Sequence, residues 1–172
     1  MEERRSKEHV LGTEIYTDGS LKKMGHMTFG GWAFVVVKDS QCLYCGFNNE
    51  YDTTNQRMEL TAMVEALKYI SERRHPNERI TIYSDSAYII NCYLQDWYIK
   101  WQSNNWMTTA KKPVANIDLW QQLIPYFDSF WYTFKKVEGH SGVYWNEECD
   151  NYAQMAADSL KKSWRGTKNE DK

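Results

Sequence analysis

Two short segments rich in β-branched and aromatic residues, Glu14 to Asp18 (EIYTD) and Arg79 to Ser84 (RITIYS), each run directly into a carboxylate, Asp18 and Asp85. Such segments read as strands. A fold that makes the two strands neighbours must therefore also bring their acids together. Between them Leu60, Met63, Val64, Leu67 and Ile70 recur at spacings of three and four, the apolar stripe of a helix laid against a sheet. Thr53, Thr54 and Asn55 are capping types, and Thr53 stands three before Gln56 as in a capping box, which starts the helix there and puts Glu59 in its first turns. His75-Pro76-Asn77 is the expected end.

The rest of the chain completes a sheet. Gly19-Ser20 reads as a turn after the first strand, followed by a polar loop from Lys22 to Thr28. Gly30-Gly31, the run Trp32 to Val37, a break at Lys38-Asp39-Ser40 and then Cys42 to Phe47 predict an antiparallel hairpin. A helix over Ala87 to Leu94 follows Asp85, and the stretch from Gln95 to Pro113 is rich in tryptophan, asparagine and lysine. Ile117 to Phe127 reads as a helix, Phe130 to Val137 as a strand, and Asn146 to Trp164 as a long amphipathic segment with Asp150 near its start. The order β-β-β-α-β-α-α-β-α makes an α/β protein, a mixed sheet with helices on its faces. One domain is expected over residues 11–165, with residues 1–10 a flexible charged lead and 166–172 a flexible charged tail.

Composition removes several classes. A 42% hydrophobic and 26% charged chain is not wholesale disordered. No apolar run nears the roughly 20 residues that span a bilayer, and the charged opening has no signal-peptide core. No membrane association is expected, and a cytoplasmic location is. Four cysteines, few and irregularly placed, suit free thiols in a reducing compartment. Cys42-Leu43-Tyr44-Cys45 forms a C-x-x-C pair. On a regular strand residues three apart face opposite ways, and no second Cys/His pair has ligand spacing, so neither zinc nor redox chemistry is expected there. Cys149 is expected to be buried packing.

Asp18 and Asp85 close strands, Glu59 opens a helix and Asp150 lies early in the last one. Singly, each has a plain structural role: strand-end turns, a partner for the helix dipole, a surface charge. Gathered without basic partners they would repel, and an oxygen-only cluster of that kind calls for hard cations, magnesium or manganese rather than zinc. Two such ions about 4 Å apart can activate water and stabilise a leaving oxygen in phosphodiester hydrolysis. The formal charge of −2 argues against a nucleic-acid partner. With the four acids set aside as a metal site the remainder carries +2, so the objection is weakened but stands.

Tyr16-Thr17-Asp18-Gly19-Ser20, Thr53-Thr54-Asn55-Gln56-Arg57-Met58-Glu59-Leu60 and Tyr83-Ser84-Asp85-Ser86 resemble, in order, the motifs of type 1 ribonuclease H. Lys111-Lys112-Pro113-Val114, Asp118-Leu119-Trp120, Val137-Glu138-Gly139-His140-Ser141-Gly142 and Asn146-Glu147-Glu148-Cys149-Asp150 extend the resemblance across Glu14 to Leu160. It implies a ribonuclease H-like fold whose five-stranded sheet has its first three strands antiparallel and the later ones parallel. It also implies a metal-dependent endonuclease that cuts the RNA strand of RNA–DNA hybrids to 5′-phosphate and 3′-hydroxyl ends, for primer removal and hybrid clearance.

By that likeness Asp18, Glu59, Asp85 and Asp150 are catalytic metal ligands for a two-ion Mg2+ site, with Mn2+ a substitute. His140 is a mobile helper in proton transfer or product release. Asn55 and Gln56 would contact the minor groove, where 2′-hydroxyls mark the RNA strand, and Thr54 a DNA-strand phosphate; as plain structure, all three cap a helix. Trp97, Trp101 and Trp106 match the spacing of the family's basic protrusion, and Lys100, Lys111 and Lys112 would touch phosphates. Tyr93, Trp97 and Trp101 recur every four residues, however, so packing along one helix face explains part of that set and is favoured for its first two members. The partner implied is a sequence-nonspecific hybrid, and the chain is expected to be a monomer.

Three departures stand out. Gln102, Ser103, Asn104 and Asn105 occupy positions where many bacterial relatives are basic, Ala87 replaces a frequent amide, and the loop between Ser20 and Gly30 is slightly long. The alternatives are an inactive hybrid-binding domain of the same fold, a DNA-acting nuclease or integrase of that fold, and a retroelement fragment that works joined to a polymerase.

Overall fold

The computed structural model describes residues 12–138 and 143–170, with side chains as far as Trp164. Five strands, β1 (Gly12–Met24), β2 (Met27–Lys38), β3 (Gln41–Tyr51), β4 (Arg79–Ser84) and β5 (Thr133–Lys136), form one sheet in the order β3-β2-β1-β4-β5. The first three are antiparallel, and β4 and β5 continue parallel to β1, as the resemblance implied. The helices are α1 (Asn55–Ser71), α2 (Ala87–Leu94), α3 (Trp97–Ser103), α4 (Ile117–Ser129) and α5 (Tyr144–Glu170).

The sheet has an apolar layer on each face because its central strands are hydrophobic at successive positions. Phe34 and Val36 of β2 and Ile15 of β1 face α1, α2 and α4, where Leu60, Met63, Leu67, Ile89, Trp120 and Leu123 are buried with them. Ala33, Val35 and Val37 face the other way, against Cys149 and Ala153 of α5. Gly31 permits that second contact, since a Cβ there would lie 2.0 Å from the Ala153 carbonyl oxygen. Each Leu, Ile or Met so enclosed contributes about 1.5–3 kcal/mol by leaving water. Among the described residues no helix is long and apolar enough to cross a membrane.

Several boundaries differ from the sequence expectation. β1 does not stop at Asp18: its ladder with β2 runs from Thr13↔Lys38 to Met24↔Met27, and the chain reverses at Gly25, where φ is +60°, and His26. Asp-Gly-Ser is turn chemistry locally, but a long partner strand overrides it. The expected capping box at Thr53 is also displaced. Thr54 is the N-cap, its hydroxyl accepting from the Arg57 amide at 3.1 Å, while Thr53 exchanges two 2.9 Å bonds with Thr28. α1 ends at Ser71, well short of His75, and β5 is shorter than its apolar run. α5 is assigned through Glu170, into the segment read as a tail.

Two further differences have physical causes that no linear pattern carries. The stretch after Gln95 holds a separate helix, α3, because Asp96 adopts φ 55° and breaks the run. Tyr93 therefore packs on Phe127 and Phe134, whereas Trp97 packs on Tyr88, so they do not share one helix face. On β3 Leu43 is an extra residue opposite the Val36–Val37 step of β2, a bulge that pairs Val35 with Cys45 and Val37 with Cys42. The extra residue puts both cysteines on the α5-facing side, against the expectation that they point apart.

Candidate active site

β1 and β4 pair in parallel as far as Tyr16↔Tyr83; β4 then ends at Ser84, and β1 continues with β2 alone. Asp18 and Asp85 stand at equal steps past that last pair, so the register of the ladder brings their carboxylates to the mouth where the sheet parts. Glu59 arrives one turn into α1. The approach is possible because residue 19 is glycine: a Cβ there would lie 2.7 Å from the Glu59 nitrogen and 2.9 Å from the Met58 Cβ. Carboxylate oxygens of Asp18, Glu59 and Asp85 lie within 4.8 Å of one another. Asp150, reaching in from α5 on the opposite face, lines the same cleft of about 90 Å3 with Asn55, Asn146 and Glu147. All four acids singled out in the sequence meet. Larger hollows of about 430 and 630 Å3 flank Trp131, but neither gathers such a group.

The cleft is electrostatically uncomfortable. Burial first, and then the charges of Asp85 and Asp150, push Asp18 up to about 8, although the Gly19 amide donates to its Oδ1 at 2.8 Å. Burial and Asp85 likewise push Glu59 up to about 7, opposed by hydrogen bonds from the Ser86 hydroxyl and from Asn55 Nδ2, the latter at 3.2 Å. Among the described residues no cationic side chain figures in either shift. Asp150 hydrogen-bonds Asp18 and accepts from Gln154 Nε2 at 2.7 Å. An oxygen-only set so close, and so reluctant to ionise alone, fits a hard divalent cation, whose charge would remove both penalties.

The expected substrate residues fall into two groups. Thr54 caps α1 and Asn55 and Gln56 open it; of the three, Asn55 lines the cleft and is already bonded to Glu59. Trp97 and Trp101 lie on α3, half-buried: Trp97 meets Tyr88 at 5.8 Å, and Trp101 meets Trp120 at 5.2 Å and Trp106 at 6.3 Å between ring centroids. Packing therefore accounts for both, yet each also lines a hollow of about 380 Å3 shared with Tyr88, Lys100, Asn104 and Thr108. Lys111 and Lys112 are exposed in a turn closed by Thr108 N–H to Lys112 O at 2.7 Å and Lys111 N–H to Thr108 O at 2.9 Å, outside that lining. Ala87 is exposed at the start of α2. His140 lies outside the described residues.

Sequence reasoning assigned no role to Ser86, Asn146, Glu147 or Arg57. Ser86 bonds Glu59 and caps α2 by accepting from the Ile89 amide at 3.3 Å, a capping type directly after an acid being its one legible signal. Asn146, buried in the cleft wall, and Glu147 sit one helical turn before Asp150, a spacing that could have marked them. Arg57 grips Asp118 through two bonds of 3.0 and 2.7 Å and so ties the start of α1 to α4. Nothing in the linear sequence announces that pair.

Comparison with known proteins agrees with this geometry. The family model described as RNase H matches residues 11–158. The chain is 46% identical over 147 residues to a ribonuclease H of Syntrophomonas wolfei, covering 85% of this chain and 96% of that one. To a ribonuclease H of Caldicellulosiruptor saccharolyticus it is 44% identical over 141 residues, covering 81% and 92%. Among solved structures it resembles LC9-RNase H1, a type 1 RNase H with the type 2 active-site motif, at a TM-score of 0.73 and 24% identity over 87% of this chain and 73% of that one. LC11-RNase H1 in complex with an RNA/DNA hybrid superimposes at a TM-score of 0.64 and 17% identity, covering 86% and 98%; these two likenesses speak for the fold.

Proposed function

The chain belongs to the ribonuclease H family, and on that premise we propose that it is an endonuclease that hydrolyses the RNA strand of RNA–DNA hybrids to 5′-phosphate and 3′-hydroxyl ends. The observation that carries the reading is the convergence of Asp18, Glu59, Asp85 and Asp150 from both faces of the sheet on one cleft. These four would hold Mg2+, with Mn2+ able to replace it. Bound divalent ions would supply positive charge at the scissile phosphate and a more acidic water.

The chain's own groups prepare the site. The Gly19 amide fixes Asp18, Gln154 fixes Asp150, and Asn55 with Ser86 fixes Glu59, so three of the ligands are oriented by protein donors before any substrate arrives. Such preorganisation spares reorganisation during the reaction. Asn55 and Gln56, in the first turn of α1, would read 2′-hydroxyls in the wide minor groove, and Thr54 would take a phosphate of the DNA strand. Trp97, Trp101 and Lys100, which line one hollow, and the exposed Lys111 and Lys112 outside it would hold that strand. His140 is assigned proton transfer at the leaving group or help in product release. A monomer working in the cytoplasm completes the proposal.

The test is a substrate panel. Labelled RNA–DNA hybrid, duplex RNA, duplex DNA and single-stranded RNA are each incubated with Mg2+, Mn2+ or chelator. Cleavage restricted to the RNA of the hybrid and abolished by chelator is expected. Cleavage of duplex DNA, or hybrid binding without cleavage in either metal, would overturn the proposal.

A further inference from the structure

β3 is an edge strand of the sheet, and its bulge gives Cys42-Leu43-Tyr44-Cys45 a geometry that a regular strand would forbid. With Leu43 as the extra residue, Cys42 lies opposite Val37 and Cys45 opposite Val35, two β2 residues of the same face. The Cys42 thiol hydrogen-bonds that of Cys45, and Tyr152 of α5 hydrogen-bonds Cys45 from above. Cys42 is exposed and Cys45 half-buried, so one sulfur of the pair is open to a small reagent and the other waits behind it. The remaining thiols are enclosed: Cys92 is buried, and Cys149 points at the Tyr16 and Ala33 carbonyls at 3.5 and 3.3 Å.

We propose that Cys42 and Cys45 form a dithiol modification site that reacts with low-molecular-weight disulfides and closes to an intramolecular bond through a mixed disulfide on Cys42. In the first step the Cys42 thiolate attacks one sulfur of the small disulfide; the Cys42–S bond forms, the small S–S bond breaks, and one small thiolate leaves. In the second the Cys45 thiolate attacks the Cys42 sulfur and expels the other small thiolate. Both cysteines are oxidised, one small disulfide is reduced to two thiols, and the two protons lost by the cysteines end on them. Burial pushes the Cys42 thiol up from its ordinary value, so at neutral pH it is mostly protonated and the first attack should speed up as pH rises.

The site stands apart from the acids. The bulge is level with Val37, and Val37 pairs with Glu14, on the far side of Tyr16 from Asp18. The cross-link is thus a chemical mark on the sheet edge and not a part of the cleft, and it holds whether or not the chain cuts hybrids.

The full chain, incubated natively with glutathione disulfide and then alkylated, is read by intact mass and peptide mapping. Loss of two hydrogens, protection of Cys42 and Cys45 from alkylation and a Cys42–Cys45 linked peptide are expected, with Cys92 and Cys149 still reduced. Cys45→Ser should accumulate the glutathione adduct on Cys42, and Cys42→Ser should give neither adduct nor link while melting as the parent does. An unmodified parent, a stable Cys42 adduct in the parent, or a link through Cys149 would each overturn the proposal.

Discussion

The acid cleft and the aromatic protrusion are built on opposite principles. The cleft is positioned by backbone: a parallel register, a ladder that continues on one side only, and a glycine that lets a helix touch a strand. Its side chains pay for that position, because burial and mutual repulsion raise the acids far above their ordinary range. The protrusion has an irregular backbone, left-handed at Asp96, Asn105, Trp106, Lys111 and Asn116, and is held by rings, with Tyr88, Trp97, Trp101, Trp106 and Trp120 in a connected set of contacts. One region has geometry at the expense of comfort and the other comfort without regular geometry. Substitutions should therefore divide cleanly, costing turnover in the first and stability in the second.

The largest effect expected is that of Asp85→Asn. Turnover should fall by about 10³-fold or more, the scale of losing one charge-stabilising group at a phosphoryl centre. The melting temperature should hold or rise, since a repelling charge has gone; His140→Ala should be a milder lesion. A large drop in melting temperature on Asp85→Asn would erase the contrast. Trp120→Ala probes the other side. Its ring is fully buried under Tyr88 and Trp101, so about 3–5 kcal/mol of stability should be lost in urea unfolding. At saturating hybrid, turnover of the remaining folded fraction should stay within about threefold of the parent, because no ring of the set lines the cleft.

A subtler separation uses protons. Asp18 and Glu59, held at about 8 and 7, keep protons in the cation-free fold that the unfolded chain has already released. Stability without cation should accordingly fall as pH rises from the ordinary carboxylate range through about 8, the reverse of the usual salt-bridged acid. A divalent cation displaces those protons, so its stabilising effect should grow over the same window, by about tenfold in affinity per pH unit for each proton displaced. Melting curves at several pH values with Mg2+ or with chelator measure both trends. A cation effect that is flat across that range would mean that the acids are ionised before the metal arrives.

The two regions also differed in how far the sequence disclosed them. The acids were legible because each sits in a short motif at the end of a periodic segment: RITIYS carries Asp85 and the Leu60–Ile70 stripe carries Glu59, local patterns that survive into the fold. What remained hidden depends on contacts between distant segments. The continuation of β1 past Asp18 is set by β2, the shift of the N-cap to Thr54 by Thr28, and the Arg57–Asp118 pair by the packing of α1 on α4. In the protrusion a single left-handed residue, Asp96, divided a four-residue aromatic repeat into two unrelated packing sites. The bulge at Leu43 did the same for a C-x-x-C pair, because one inserted residue reverses a face assignment that assumes strict alternation.

The smallest effect concerns the charge of the protrusion. Gln102, Ser103, Asn104 and Asn105 are all exposed and uncharged around the end of α3, leaving Lys100, Lys111 and Lys112 as its exposed cations. Each phosphate contact contributes about one unit to the slope of log affinity against log salt. Hybrid binding should therefore be weaker and less salt-sensitive than in a relative with a basic protrusion, and Lys100→Ala should lower the slope by about one more. Gln102→Lys should raise it by a similar amount without moving the melting temperature, since the added charge touches none of the packed rings. A steep slope that ignores both substitutions would show that the DNA strand is gripped elsewhere, and the division between a cleft for chemistry and a protrusion for holding would have to be redrawn.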